Sequence, residues 1–302
     1  MESYTRRGFE LTGGKRTEKT PARRLRVILL THGGAEELVE RLMLCDVDLV
    51  GIFVEKNIAR QYSIGEKTKR SLRYDGYIAT AGKLIRKIIP GKERNPYLVE
   101  ADEMRGRLER VANHNNIPFY IVDNYHNPET ITLMRSVDAD LGVIYGTNII
   151  KETVFNLPKL GSINLHQGLA PYYRGGPPVF WELYNGESEV GLTVHRVAAK
   201  VDSGDIILQQ TVPLKYDYSY GSDYESFIGD FCNQLRGQCA DMVAEAVSLI
   251  ASGTVKPRPQ DPNVGKRYRL PVKAEKDELR RRLRKRQQRS ADTWNHSQPE
   301  IG

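Results

Sequence analysis

Little in this chain suits a disulfide framework, a metal centre or a membrane. Only three cysteines occur, Cys45, Cys232 and Cys239, an odd number without ligand-type spacing. They read as ordinary thiols in a reducing, cytoplasmic compartment. Cys232 and Cys239 lie seven residues apart on a predicted helix, a spacing that suits core packing. No His/Cys cluster has zinc spacing, so no metal is expected. Apolar runs stop at strand length, which excludes a membrane-spanning helix. The opening "MESYTRRGFELTGGKRTEKTPARR" has no apolar signal core, so no secretory signal is expected. Three reaction signatures are missing too. There is no Gly-x-x-x-x-Gly-Lys-Ser/Thr phosphate loop, no Gly-x-Gly-x-x-Gly after the first strand, and no Gly-x-Ser-x-Gly elbow. "THGGAEEL" comes nearest to a dinucleotide turn, but Glu36 and Glu37 at that helix start compete with a bound phosphate.

What is present is a chain of 302 residues, 39% hydrophobic, long enough to bury a sizeable core. Its net charge of +7 belongs to the ends: residues 266–289 carry +9 and residues 1–24 carry +4, whereas 25–265 carry −4. The sequence therefore divides into a basic, flexible segment 1–24, a domain 25–265 with a polar, basic insertion at about 56–96, and a basic tail 266–302. Compact structure is expected to end at "PRPQDPNVG". Such tails are solvated ends, or an electrostatic grip on RNA. The stretch "DELRRRLRKRQQR" can form a basic helix, but Leu279 and Leu283 alone make a poor membrane face, so no membrane partner is expected.

The pattern from 25 to 166 alternates strands and helices. "LRVILLT", "VDLVGIFVE", "IPFYIVD", "ADLGVIYG" and "GSINLH" read as strands, separated by helical stretches such as "YLVEADEMRGRLERVANHNN" and "NPETITLMRSV". "NPETITLMRSV" opens on Asn then Pro, a cap followed by Pro in the first turn. This predicts an α/β fold with a Rossmann-like, mostly parallel sheet and helices on both faces. A helix at "PPVFWELYNGE" follows, then a hairpin of "VGLTVHRV" and "GDIILQQTVPL". A long helix over 224–253 comes next and ends on Gly253.

"SINLHQGLAPYYRGG" (162–176) is the stretch that asks for an explanation. Ligands in open α/β sheets bind beyond the carboxyl ends of strands, and "GSINLH" puts Asn164 and His166 at such an end. Two apart, they share one face of the strand. The hairpin loop "AAKVDSGD" carries Asp202, with Gly204 permitting a tight backbone. If that loop folds over the same edge, an amide, an imidazole and a carboxylate meet. The amide and an imidazolium can stabilise an oxyanion. The carboxylate favours the charged histidine, and the pair can relay a proton. The trio suits acyl transfer between amines. Asn-x-His alone recurs by chance, and Asp with Gly is ordinary turn chemistry. His195, in "LTVHRV", reads as half-buried sheet surface.

Together these residues resemble a known family, the formyltransferases that use 10-formyltetrahydrofolate, which act on glycinamide ribonucleotide, methionyl-tRNA or sugar nucleotides. The resemblance lies in Asn164-Leu165-His166, then Leu169-Ala170-Pro171 through Gly175, then Asp202-Ser203-Gly204 about three dozen residues after His166. It implies Asn164, His166 and Asp202 as catalytic residues. It also implies folate contacts from Asn148, Ile149 and Ile150 on one wall and Val197 and Ala198 on the other. Arg174 and Tyr172 are the implied acceptor contacts, and 10-formyltetrahydrofolate is the cosubstrate. The acceptor expected is a small, phosphorylated or nucleotide-linked amine such as an amino sugar. Glycinamide ribonucleotide and methionyl-tRNA are alternatives. "THGGAEEL" departs from the phosphate loop of the ribonucleotide enzymes, and the fifty or so residues after Gly253 do not read as a tRNA-binding β-barrel. A reading of another class is a non-catalytic RNA- or partner-binding protein on the same core, docking through basic tails. Tyr74, Tyr77 and nearby cations in the insertion can form an acceptor lid or an idle surface loop.

Overall fold

The computed structural model describes residues 23–56, 64–75, 96–261 and 263–296. From the N-terminal side these run β1 (Leu25–Thr31), α1 (Glu36–Met43), β2 (Val47–Glu55), α2 (Ile64–Tyr74), α3 (Pro96–His114), β3 (Phe119–Val122) and α4 (Pro128–Ser136). Next come β4 (Leu141–Tyr145), α5 (Glu152–Phe155), β5 (Ser162–His166), β6 (Tyr173–Arg174) and α6 (Phe180–Asn185). The hairpin strands β7 (Glu189–Arg196) and β8 (Ile206–Pro213) precede α7 (Tyr224–Gln234), α8 (Arg236–Ala251), β9 (Lys266–Arg267) and α9 (Lys273–His296).

Seven strands make one sheet in the order β3-β2-β1-β4-β5-β7-β8. Pairs from β3 to β5 are parallel, and β7 and β8 are antiparallel. The expected α/β sheet with a terminal hairpin is present. β1 is apolar along its whole length because both faces are covered. Val27 and Leu29 meet Leu38 and Val39 of α1 and Val243 and Val247 of α8. Ile28 and Leu30 meet Phe53, Met134 of α4 and Phe155 of α5. The chain runs outward from β1 to β2 and β3, then returns to lay β4 on the other flank of β1. That reversal opens a crevice at the carboxyl ends of β1 and β4.

Several expectations need adjustment. The helix over 224–253 is two helices, because the Leu235 N–H is shared between the Phe231 and Cys232 carbonyls and tightens the last turn of α7. Gly253 (φ 69°) does end α8: its N–H reaches the Ile250 carbonyl while Thr254 N–H reaches Leu249, both 3.1 Å, a Schellman closure. Asn127 stands at the start of α4 with Pro128 behind it, but its side chain makes no capping hydrogen bond.

Packing does not end at "PRPQDPNVG". β9 pairs with β6, and α9 places Leu279 and Leu283 at 1% and 0% exposure against Phe180, Trp181, Leu183 and Phe227. Burying two leucines is worth roughly 1.5–3 kcal/mol each, and their absence would leave an aromatic cluster facing water. Tyr268 stacks on Tyr173 with centroids 5.1 Å apart, and the Arg282 guanidinium lies 4.3 Å from the Tyr184 ring centroid. The part of the basic tail from 266 to 288 is therefore docked, where the sequence suggested a solvated end. Residues 1–22 and 76–95 of the insertion, Tyr77 among them, lie outside the described residues. Helix α2, with Tyr74, is the described part of the insertion. No described helix is long and apolar enough to cross a membrane.

Candidate active site

Asn164 and His166 project from one face of β5, and the β7–β8 loop brings Asp202 across to them. Asp202 Oδ2 lies 3.4 Å from His166 Nδ1 and accepts the Gly175 N–H at 2.9 Å. Its Oδ1 lies 3.4 Å from His195 Nε2. Asn164 Nδ2 is 3.3 Å from the same His195 nitrogen, across the ladder pair Asn164–His195. His195 is thus no surface residue: it is 2% exposed and joins the amide to the carboxylate. Its Nδ1–H donates to the Arg196 carbonyl at 2.7 Å. Its place in the sheet hid it, since an antiparallel register is not written in the sequence.

The Asp202 turn is built to one shape. Asp202 sits at φ 50°, a left-handed conformation that Asp tolerates better than most residues. Gln260 Nε2 clamps it by donating to the Asp202 carbonyl at 3.1 Å and the Gly204 carbonyl at 2.7 Å. A Cβ on Gly204 would collide with the Arg196 carbonyl, so glycine is required there.

Electrostatics separate the two central groups. Burial pushes the Asp202 carboxyl up, but the His195 hydrogen bond, the His166 and His195 charges and the Gly175 N–H together outweigh it and bring it down to about 2. For His166 burial is the largest influence and lowers its pKa, more than Asp202 and the Tyr173 carbonyl raise it. The carboxylate does favour a charged histidine, as expected, but burial outweighs it and the His166 pKa lies below its ordinary value. His166 Nε2–H donates to the Tyr173 carbonyl at 2.5 Å.

This cluster opens into a cavity of about 660 Å³, within the range of small-molecule sites. Asn148, Ile149 and Ile150 line one side and Val197 and Ala198 another. The wall at 146–151 is pinned by His126, which gives Nδ1–H to Asn124 Oδ1 at 3.1 Å and accepts Lys151 N–H on Nε2 at 3.0 Å. Burial and the Lys151 charge lower the His126 pKa, in keeping with that neutral tautomer. The two expected acceptor contacts fare differently. Tyr172 is 53% exposed and does not line the cavity. Arg174 lines a neighbouring cleft of about 360 Å³. Cys232 lines the cavity, with burial raising its thiol to about 11, so it is a poor nucleophile.

Sequence reasoning also passed over His32, which follows β1 directly and so stands at the strand end where ligands bind. It lines the cavity, and its Nε2 lies 3.1 Å from Glu55 Oε2. Glu55 in turn accepts the Tyr125 N–H at 3.1 Å. Among the described residues no group of three or more His, Cys, Asp or Glu is placed to hold a metal.

Fold and site define an α/β domain with its ligand cavity at the topological switch point of a mostly parallel sheet. The family model described as "Formyl transferase" matches residues 88–230 of this chain. A methionyl-tRNA formyltransferase of Azobacteroides pseudotrichonymphae is 32% identical over 160 residues, 53% of this chain and 47% of that protein. One from Phocaeicola vulgatus is 38% identical over 123 residues, 41% and 36% of the two chains. This chain thus matches about half the length or less of these curated relatives. Two solved structures share the fold. Phosphoribosylglycinamide formyltransferase from Anaplasma phagocytophilum has a TM-score of 0.50 at 18% identity, covering 82% of this chain and 99% of that one. Glycinamide ribonucleotide transformylase 1 from Symbiobacterium toebii has a TM-score of 0.50 at 16% identity, covering 80% and 96%.

Proposed function

We propose that this protein moves a formyl group from 10-formyltetrahydrofolate to the amine of a small, phosphorylated or nucleotide-linked acceptor such as an amino sugar. The observation that carries the proposal is the meeting of Asn164, His166 and Asp202 at the mouth of one cavity. The cavity suits a folate: Ile144, Ile150, Val197 and Val201 offer apolar walls for a flat ring system, with loop backbone beside them. When bound there, the folate supplies a formyl carbon open to attack by an amine.

The residues then divide the work. The Asn164 amide and the His166 Nε2–H are the donors for the negative charge that gathers on the formyl oxygen. In the structure that N–H is given to the Tyr173 carbonyl, with which the formyl oxygen would compete. Asp202 stays ionised 3.4 Å from Nδ1 and stabilises the ring once Nδ1 takes up a proton. The proton shed by the attacking amine passes to the Asp202–His166 pair and returns to the folate nitrogen that loses the formyl group. Bond making at the acceptor nitrogen and bond breaking at the folate nitrogen then balance without a covalent enzyme intermediate.

The test is mass-spectrometric. The full chain is incubated with 10-formyltetrahydrofolate and amino-sugar nucleotides, glycinamide ribonucleotide or methionyl-tRNA. A formyl mass gain on one acceptor, lost in His166→Ala, is expected; turnover retained in His166→Ala refutes the assignment. A second reading, with methionyl-tRNA as acceptor, is favoured by the names of the curated relatives, and formylation of that substrate alone would establish it.

A further inference from the structure

We propose that the two-stranded sheet of β6 and β9 forms an anion site, built from Arg174, Arg267 and Lys200, that holds the phosphate or diphosphate of a small ligand. The proposal rests on the transfer reading for the ligand's identity as the acceptor, but not for the site itself. Arg174 and Arg267 are register partners in a parallel ladder. Paired residues project to the same face about 5 Å apart, so two guanidinium-bearing side chains stand side by side. Like charges in that position are destabilising. Among the described residues no carboxylate forms an ion pair with either arginine. Arg174 Nε is moreover buried without a hydrogen-bond partner, and an orphaned charged donor costs more than a neutral one. A bound anion relieves both penalties.

The cleft has a shape as well as a charge. Arg174, Lys200 and Arg267 line it with Ala199 and Val201 and no acidic residue. Arg267 also lines the main cavity, so the cleft joins the cavity that holds His166 and Asp202. Planar guanidinium forks match phosphate oxygens, and a cleft of about 360 Å³ suits a small ligand better than a nucleic-acid backbone. Its walls are fixed: Lys266 N–H donates to the Tyr172 carbonyl at 3.2 Å and Tyr268 N–H to the Arg174 carbonyl at 2.7 Å. Gly175, next to Arg174, is the residue whose N–H holds Asp202. The segment after "PRPQDPNVG" therefore supplies one of the three cations of this site.

The experiment is calorimetric titration of the full chain with inorganic pyrophosphate at physiological ionic strength. The wild type is expected to bind it, and Arg267→Ala, an exposed side chain whose loss leaves the backbone ladder intact, to bind about tenfold more weakly or worse. Lys200→Ala should weaken it by a smaller factor. Arg284→Ala, an exposed cation on α9, should not change it. No pyrophosphate binding, or equal losses in Arg267→Ala and Arg284→Ala, would overturn the site. So would tRNA binding that Arg267→Ala abolishes while pyrophosphate binding is untouched. Tetrahydrofolate binding, followed on the same samples by fluorescence, keeps the two readings apart. Folate without pyrophosphate removes the anion site alone, and pyrophosphate without folate removes the transfer reading alone.

Discussion

Replacing Asp202 with Asn tests the electrostatic core of the site with little steric change. Asn fits the left-handed backbone at φ 50° as readily as Asp, and its Oδ1 can still accept the Gly175 N–H. What is lost is the charge shared with His166 and His195, each 3.4 Å away. A carboxyl held at about 2 against an ordinary value near 3.9 stores about 2–3 kcal/mol of folding stability. The side chain is only 13% exposed, so solvent screening removes little of that. Because the folded pKa is depressed, this stability is present in full above the unfolded value near 4 and is lost as pH falls through about 2. Urea unfolding of wild type and Asp202→Asn between pH 6 and pH 2 measures it. The gap should be about 2–3 kcal/mol at pH 5–6 and should close in acid, where the wild-type carboxyl is protonated too. Transfer at neutral pH should fall by about 10²–10⁴-fold. A stability gap that is absent, or that does not change with pH, would refute the account of Asp202 as a buried carboxylate held ionised by two histidines.

His166→Ala should abolish transfer yet leave folate affinity within about threefold, since the cavity walls at 148–150 and 197–198, proposed above to hold the folate, lie on other loops; a large loss of binding would place His166 in the folate site instead. The His166 imidazole, followed by NMR, should titrate below the ordinary 6.5 and lower still in Asp202→Asn, because the carboxylate raises it; an upward move would contradict burial as the cause. Gln260→Ala frees the Asp202 turn and should lower the rate while thermal unfolding shifts by only about 1 kcal/mol; an unchanged rate would make the clamp irrelevant. Leu283→Ala should cost about 2–5 kcal/mol by denaturant unfolding, and a cost near zero would show that α9 is not part of the folded core.

The sequence carried the parts of this structure that depend on local periodicity and lost those that depend on register. Strands β1 and β5 were legible because a strand covered on both faces must be apolar throughout, and because Asn164 and His166 two apart must share a face. Asp202 was legible because the hairpin around it is short. His195 was not, since only the antiparallel pairing of β5 with β7 turns it from sheet surface into the bridge between Asn164 and Asp202. The tail misled for the same reason. Leu279 and Leu283 look negligible in a helix so rich in arginine, and they acquire meaning only beside Phe180, Trp181 and Phe227, about a hundred residues away or fewer along the chain. The Arg174–Arg267 pair lies further from anything a sequence pattern shows, because a two-residue ladder leaves no periodicity to read. Charge was the one signal there. The +9 of residues 266–289 suggested a diffuse grip on nucleic acid, yet much of it is spent locally: Arg269 binds Glu275, Arg280 binds Glu225, and Arg282 binds Glu278. Arg267 is set apart because its ladder partner is another arginine and no carboxylate forms an ion pair with it among the described residues. A basic segment in which five of twelve cations form ion pairs among the described residues, and in which Arg267 reaches the cavity that holds His166, is better suited to completing a ligand site than to coating a polyanion.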